Sequence, residues 1–139
     1  MIISTGMSIK DEVDRCLDIF GDQVQYILSC KSTYPTKDSD INLRFISTLK
    51  REYPKYRIGF SNHSAGIQFC LSAVALGAEM IEFHITLDRA MYGSDQAASI
   101  ETPGVMKIGS VVRAIESAMG DGSWSFASGE EEIRKKLRG

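Results

Sequence analysis

The 139-residue sequence is short of the features that usually announce a function. It holds three cysteines, Cys16, Cys30 and Cys70, and no C-x-x-C pair. That argues against a zinc knuckle and a disulfide framework; all three fall within apolar patterns, as small buried hydrophobes do. No run approaches the roughly 20 apolar residues of a membrane-spanning helix. The opening, Met1-Ile2-Ile3-Ser4-Thr5-Gly6-Met7, lacks the basic start and long apolar core of a signal peptide. Charge of one sign is missing too, with 16 Lys+Arg against 18 Asp+Glu and a net −2. No global basic excess is available to grip nucleic acid or an anionic membrane, although a local basic patch stays open. There is no P-loop, no G-x-G-x-x-G turn and no G-x-S-x-G elbow. The expectation is a cytoplasmic protein with neither a membrane nor a nucleic-acid partner.

What is present reads as one folded domain, with 43% hydrophobic, 24% charged and 9% aromatic residues. Short apolar runs alternate with helical periods. Met1–Ile3 predicts a first strand, and Ser8 a helix cap with Asp11 and Glu12 in the first turn. Val13, Cys16, Leu17 and Phe20 then share one helix face, closed by Gly21. Val24–Cys30 predicts a second strand, and the spacing predicts a helix over 40–53. Arg57–Phe60 is a third strand, followed by a helix carrying Ile67, Cys70, Leu71 and Val74. Glu79–Thr86 is a fourth, followed by a polar loop over 88–99. Thr102-Pro103 then caps a helix with Val105, Ile108, Val112, Ile115 and Met119 on one side.

The expected fold is therefore α/β, with four consecutive βα units over 1–122 and a charged C-terminal helix or linker over 123–139. Such units imply a parallel sheet with right-handed crossovers. It is either an open doubly wound sheet or part of a (β/α)8 barrel, a full barrel needing roughly 250 residues.

Ligands bind at the C-terminal ends of the strands in such folds. Polar residues gather there: Ser4 and Thr5; Lys31, Ser32 and Tyr34; Ser61, Asn62 and His63; Glu82, His84, Asp88, Arg89 and Asp95. The chain's two histidines, His63 and His84, fall at the ends of neighbouring strand candidates. Strands lie about 4.8 Å apart, so the two imidazoles either share a divalent metal or stand as independent polar residues. Glu82, His84 and Thr86 share one face of the fourth strand. Ile81, Phe83, Ile85 and Leu87 share the other; either the polar face lines a site and the apolar face meets the helices, or this is an edge strand with one wet face. This edge offers only Lys31 and Arg89 as cations, a thin supply for a phosphorylated substrate.

Five runs then carry a resemblance: I-I-S-T-G-M at 2–7, S-C-K-S-T-Y-P-T at 29–36, G-F-S-N-H-S at 59–64, A-V-A-L-G-A at 73–78 and I-E-F-H-I-T-L-D-R at 81–89. In this order and spacing they resemble the sialic acid (N-acetylneuraminate) synthase family, from Met1 to about Arg134. The resemblance implies half of a TIM-type (β/α)8 barrel, strands five to eight, without the first four strands or the antifreeze-like domain. It implies condensation of phosphoenolpyruvate with an N-acyl amino sugar of the N-acetylmannosamine type, giving a nonulosonic acid and phosphate. Carried over by position, His63 and His84 match metal ligands, with Mn the first expectation. Ser4, Ser32, Tyr34, Ser61, Glu82 and Asp95 match substrate-binding residues. Catalytic residues are not assigned. Asn62 stands where the family usually has Asp, Phe83 replaces a usual basic residue, and Gln96 replaces a usual His. The groups that hold phosphoenolpyruvate's charges lie in the other half, so a homo-oligomer or a separate N-terminal half-barrel is the expected partner. The alternative is a non-catalytic, truncated relative acting as a metal- or partner-binding module.

Overall fold

The computed structural model describes all residues, Met1–Gly139. Four strands, β1 (Ile2–Ser4), β2 (Tyr26–Cys30), β3 (Arg57–Asn62) and β4 (Ile81–Phe83), form one parallel sheet in the order β1-β2-β3-β4. The sheet does not close, and the outer edges of β1 and β4 pair with no strand. The α/β expectation therefore holds, with part of a barrel present.

Helix α1 (Lys10–Phe20) follows β1, burying Val13 and Leu17. Ile9, not Ser8, sits at its N-cap, and the Glu12 carboxylate reaches back to accept the Ile9 N–H at 3.0 Å. Ser8 instead donates its hydroxyl to the Gly6 carbonyl. Helix α2 (Phe45–Glu52) is shorter than the sequence predicts. Asp38–Asp40 form a separate 3-10 turn, and Asn42 is left-handed at φ +53°. Asp, Ser and Asn side chains offer the backbone local partners that compete with a helix, so residues 38–44 become a loop.

The main core lies between sheet and helices. Ile27 of β2 and Ile58 and Phe60 of β3 pack against Val13, Leu17, Ile46, Leu49 and Tyr53. Tyr53 keeps its hydroxyl satisfied by donating to Asp14 at 2.7 Å. A smaller core joins Cys70 of α3 (Gln68–Ala75) to Ile100 and Ile108, with Ile81 and Phe83 against it.

The fourth strand is broken, against the expectation of one strand over 79–86. Its pairing with β3 ends at Phe83, and His84 leaves the ladder. The His84 carbonyl accepts the Ile100 N–H at 2.8 Å. That contact draws β5 (Ile85–Thr86) into a second parallel pair with β6 (Ile100–Glu101). Ile85 and Leu87 do not meet the helices; they are 69% and 85% exposed, while Thr86 is buried. Glu101 precedes α4 (Thr102–Ala118) in the cap position, so Thr102 is already inside the helix. Residues 119–139, with α5 (Glu130–Arg138), are exposed throughout.

Candidate functional site

β3 and β4 are in register as Ser61↔Glu82, which places both side chains on the sheet face away from α2. The Ser61 hydroxyl donates to Glu82 Oε2 at 2.5 Å, a charge-assisted bond. Two residues on, His63 is buried, and its Nδ1 lies 2.7 Å from the Lys31 carbonyl at the end of β2. A carbonyl only accepts, so Nδ1 carries the proton and Nε2 keeps its lone pair. That lone pair faces the Tyr34 hydroxyl at 3.2 Å. The His84 ring stands edge-on to His63, centroids 5.2 Å apart, and Tyr34 lies 5.5 Å from His84. His84 Nδ1 is 3.6 Å from Asp95 Oδ2, contributed by the loop after β5.

The loops that carry these groups are tied together by residues whose roles are not visible in sequence. Thr36 is buried; its N–H donates to the His63 carbonyl at 2.9 Å and its hydroxyl to the Thr33 carbonyl at 2.7 Å. Thr5, also buried, accepts the Cys30 N–H and donates to the Leu28 carbonyl, extending the contact of β1 with β2. Asn62 is 3% exposed and fully employed. Its amide donates to the Ser64 and Gly66 carbonyls, and its oxygen accepts the Ser64 hydroxyl at 2.8 Å. A carboxylate at 62 has no protons for those carbonyls, so Asn62 suits this loop as it stands.

Of the sequence-predicted residues, the structure brings His63, His84, Tyr34, Ser61, Glu82 and Asp95 to one cluster. Ser32 lies at its margin, its hydroxyl 3.7 Å from Cys30 Sγ, itself 3.7 Å from His63 Nδ1. Ser4 is exposed at the end of β1 and joins none of these hydrogen bonds. Arg89, counted among the cations of this edge, turns onto its own loop, donating from Nε to the Ala97 carbonyl at 2.8 Å. Gln96 likewise accepts the Thr86 hydroxyl within that loop. Lys31 remains as the exposed cation beside the cluster.

Burial raises the Tyr34 phenol above its ordinary value, and Cys30, Asp95 and Glu82 add to the shift. The phenol therefore stays a proton donor toward His63 at neutral pH. The donor chemistry fits two imidazole ligands of an open metal position: one lone pair is fixed by the Lys31 carbonyl and the second ring lies beside it. No three His, Cys, Asp or Glu side chains are placed to hold one ion together, so a closed four-ligand site is not formed.

Comparison with known proteins identifies the family. The chain is 37% identical over 139 residues to the human N-acetylneuraminate-9-phosphate synthase, covering 99% of this chain and 39% of that protein. It is 37% identical over 146 residues to the Campylobacter jejuni N,N'-diacetyllegionaminic acid synthase, covering 99% and 43%. Among solved structures, the Leptospira borgpetersenii N-acetylneuraminic acid synthetase superposes with a TM-score of 0.84 at 38% identity, over 99% of this chain and 50% of that one. The Bacillus subtilis spore coat polysaccharide biosynthesis protein SpsE gives 0.77 at 28% identity, over 96% and 42%. The chain thus spans half or less of the length of these relatives. Residues 1–124 match the NeuB family, and the chain belongs to that family.

Proposed function

We propose that this chain supplies the metal- and amino-sugar-binding half of a nonulosonic acid synthase site. The observation that carries the reading is the His63–His84 pair, with Nε2 of His63 held unprotonated beside Tyr34 and the Ser61–Glu82 bond one residue pair away. A divalent cation held by the two imidazoles, Mn first, supplies Lewis-acid polarisation of an aldehyde oxygen. The reaction forms a bond between the methylene carbon of phosphoenolpyruvate and the aldehyde carbon of an N-acyl amino sugar. Water adds at the enol carbon and phosphate leaves.

In this reading the Tyr34 hydroxyl, which would be released from His63 Nε2 by a metal bound there, hydrogen-bonds to a sugar oxygen. Ser61 and Glu82 orient the enolpyruvate end, and Asp95, held near His84, accepts a sugar hydroxyl. Lys31 alone is too little for the charges of phosphoenolpyruvate, so the remaining cations come from a first half-barrel or a second copy across the open sheet edges. Mixing the protein with Mn, phosphoenolpyruvate and N-acetylmannosamine and assaying phosphate tests this. Release is expected once an N-terminal half-barrel is added; none with or without it refutes the reading. One observation favours a second reading, a non-catalytic metal- or partner-binding module: no three His, Cys, Asp or Glu side chains are placed to hold one ion together.

A further inference from the structure

One short turn meets His63 at both ring nitrogens. Residues 31–36 bring the Lys31 carbonyl to Nδ1 at 2.7 Å and the Tyr34 hydroxyl to Nε2 at 3.2 Å. The other neighbours of the ring do not fix its tautomer. A proton on Nε2 would also find acceptors, the Tyr34 oxygen and Ser61 Oγ at 3.5 Å, which gives its own proton to Glu82. Nδ1 would then face the Cys30 thiol, a weak donor 3.7 Å away. The carbonyl of Lys31 therefore decides between the two forms, and it does so only while it is held against Nδ1.

Thr36 holds it. The Thr36 N–H donates to the His63 carbonyl at 2.9 Å, tying the end of the turn to the end of β3. The Thr36 hydroxyl donates to the Thr33 carbonyl at 2.7 Å and lies 3.3 Å from the Lys31 carbonyl, so it closes the turn from within. The Thr33 hydroxyl donates back to Thr36 Oγ1 at 3.3 Å. Thr36 is 5% exposed, so water does not readily replace these bonds. One buried residue thus reaches both the His63 backbone and the carbonyl that faces its ring.

We propose that Thr36 is a positioning residue for the metal site: its hydroxyl keeps the Lys31 carbonyl on His63 Nδ1 and so leaves Nε2 free as the ligand atom. It acts through His63 and touches neither cation nor sugar. The inference rests on the proposed function, in which His63 Nε2 binds the cation. Removing a group that orients a ligating imidazole costs about 10–100-fold in metal affinity.

Thr36→Val removes the hydroxyl at nearly constant volume and keeps the N–H bond to His63; Thr36→Ser restores the hydroxyl. Nitrogen-15 NMR of the imidazoles in the metal-free whole chain at pH 8 reads the tautomers, and Mn(II) titration reads the affinity. Wild type and Thr36→Ser should show His63 protonated at Nδ1. Thr36→Val should show a mixture of both forms at His63, with His84 unchanged, and bind Mn about tenfold more weakly or worse. Thr36→Ala carries the same test should Thr36→Val fail to fold. A His63 protonated at Nδ1 in the hydroxyl-free variant overturns the inference, whatever the Mn affinity, and so does a mixed tautomer with full affinity. A wild type that binds no Mn overturns the proposed function instead, and the tautomers then decide the role of Thr36 by themselves.

Discussion

Gly59 sits midway along β3 on the sheet face that leads to Ser61, opposite Leu28 of β2. A Cβ there would lie 2.4 Å from Leu28 Cδ2 and 2.8 Å from the Met80 carbonyl oxygen. The leucine methyl can turn aside. The carbonyl cannot, because it accepts the Phe60 N–H at 2.9 Å and starts the β3–β4 ladder. Gly59→Ala must therefore push β4 away. Overpacking of this kind costs about 1–3 kcal/mol, offset by up to about 1 kcal/mol from the less flexible unfolded chain. The net loss is about 1–2 kcal/mol. At an m-value of roughly 2 kcal/mol/M, the urea midpoint falls by about 0.5–1 M with m unchanged. Gly109→Ala, in α4, is the control: its new methyl meets nothing nearer than an Arg113 guanidinium nitrogen at 3.8 Å. That variant should gain up to about 1 kcal/mol. An unchanged or higher midpoint for Gly59→Ala would refute the close approach of the two strands on which the Ser61–Glu82 contact depends.

Three other predictions concern single groups. Burial, then the hydrogen bond to Asp14, raises the Tyr53 phenol. The unfolded chain therefore ionises first, and stability should fall as pH rises from about 10 toward the folded value; urea melts at pH 9 and 11 check this, and Tyr53→Phe should flatten the fall. Asn62→Asp sets a buried carboxylate against the Ser64 and Gly66 carbonyls and should cost roughly 1–3 kcal/mol. The introduced carboxyl is more stable protonated, so the loss measured by thermal melts should be smaller at pH 4 than at pH 8. Burial pushes the Cys70 thiol up to about 12, so a disulfide reagent at pH 8 should label half-exposed Cys16 first and Cys70 only on unfolding.

The order of strands and helices is legible because each element carries its own period. Val13 and Leu17 mark α1, and the unbroken apolar run over Ile27 and Leu28 marks a strand covered on both faces. The histidine pair is legible because both residues end neighbouring strands. Two features are not. Asp38, Ser39, Asp40 and Asn42 hold a turn signal that the following apolar period masks. The break at His84 depends on Ile100, 16 residues away and aligned by the long loop. The carbonyl of Lys31 fixes the His63 tautomer without leaving any mark in sequence, since every residue has a carbonyl.

The proposed function requires His63 and His84 to act as one metal site at the ends of β3 and β4. Electron paramagnetic resonance titration of Mn(II) into the protein, into His63→Ala and into His84→Ala tests it most directly. One bound ion per wild-type chain is expected, with loss of that ion in each variant. Equal Mn binding by all three proteins would contradict it.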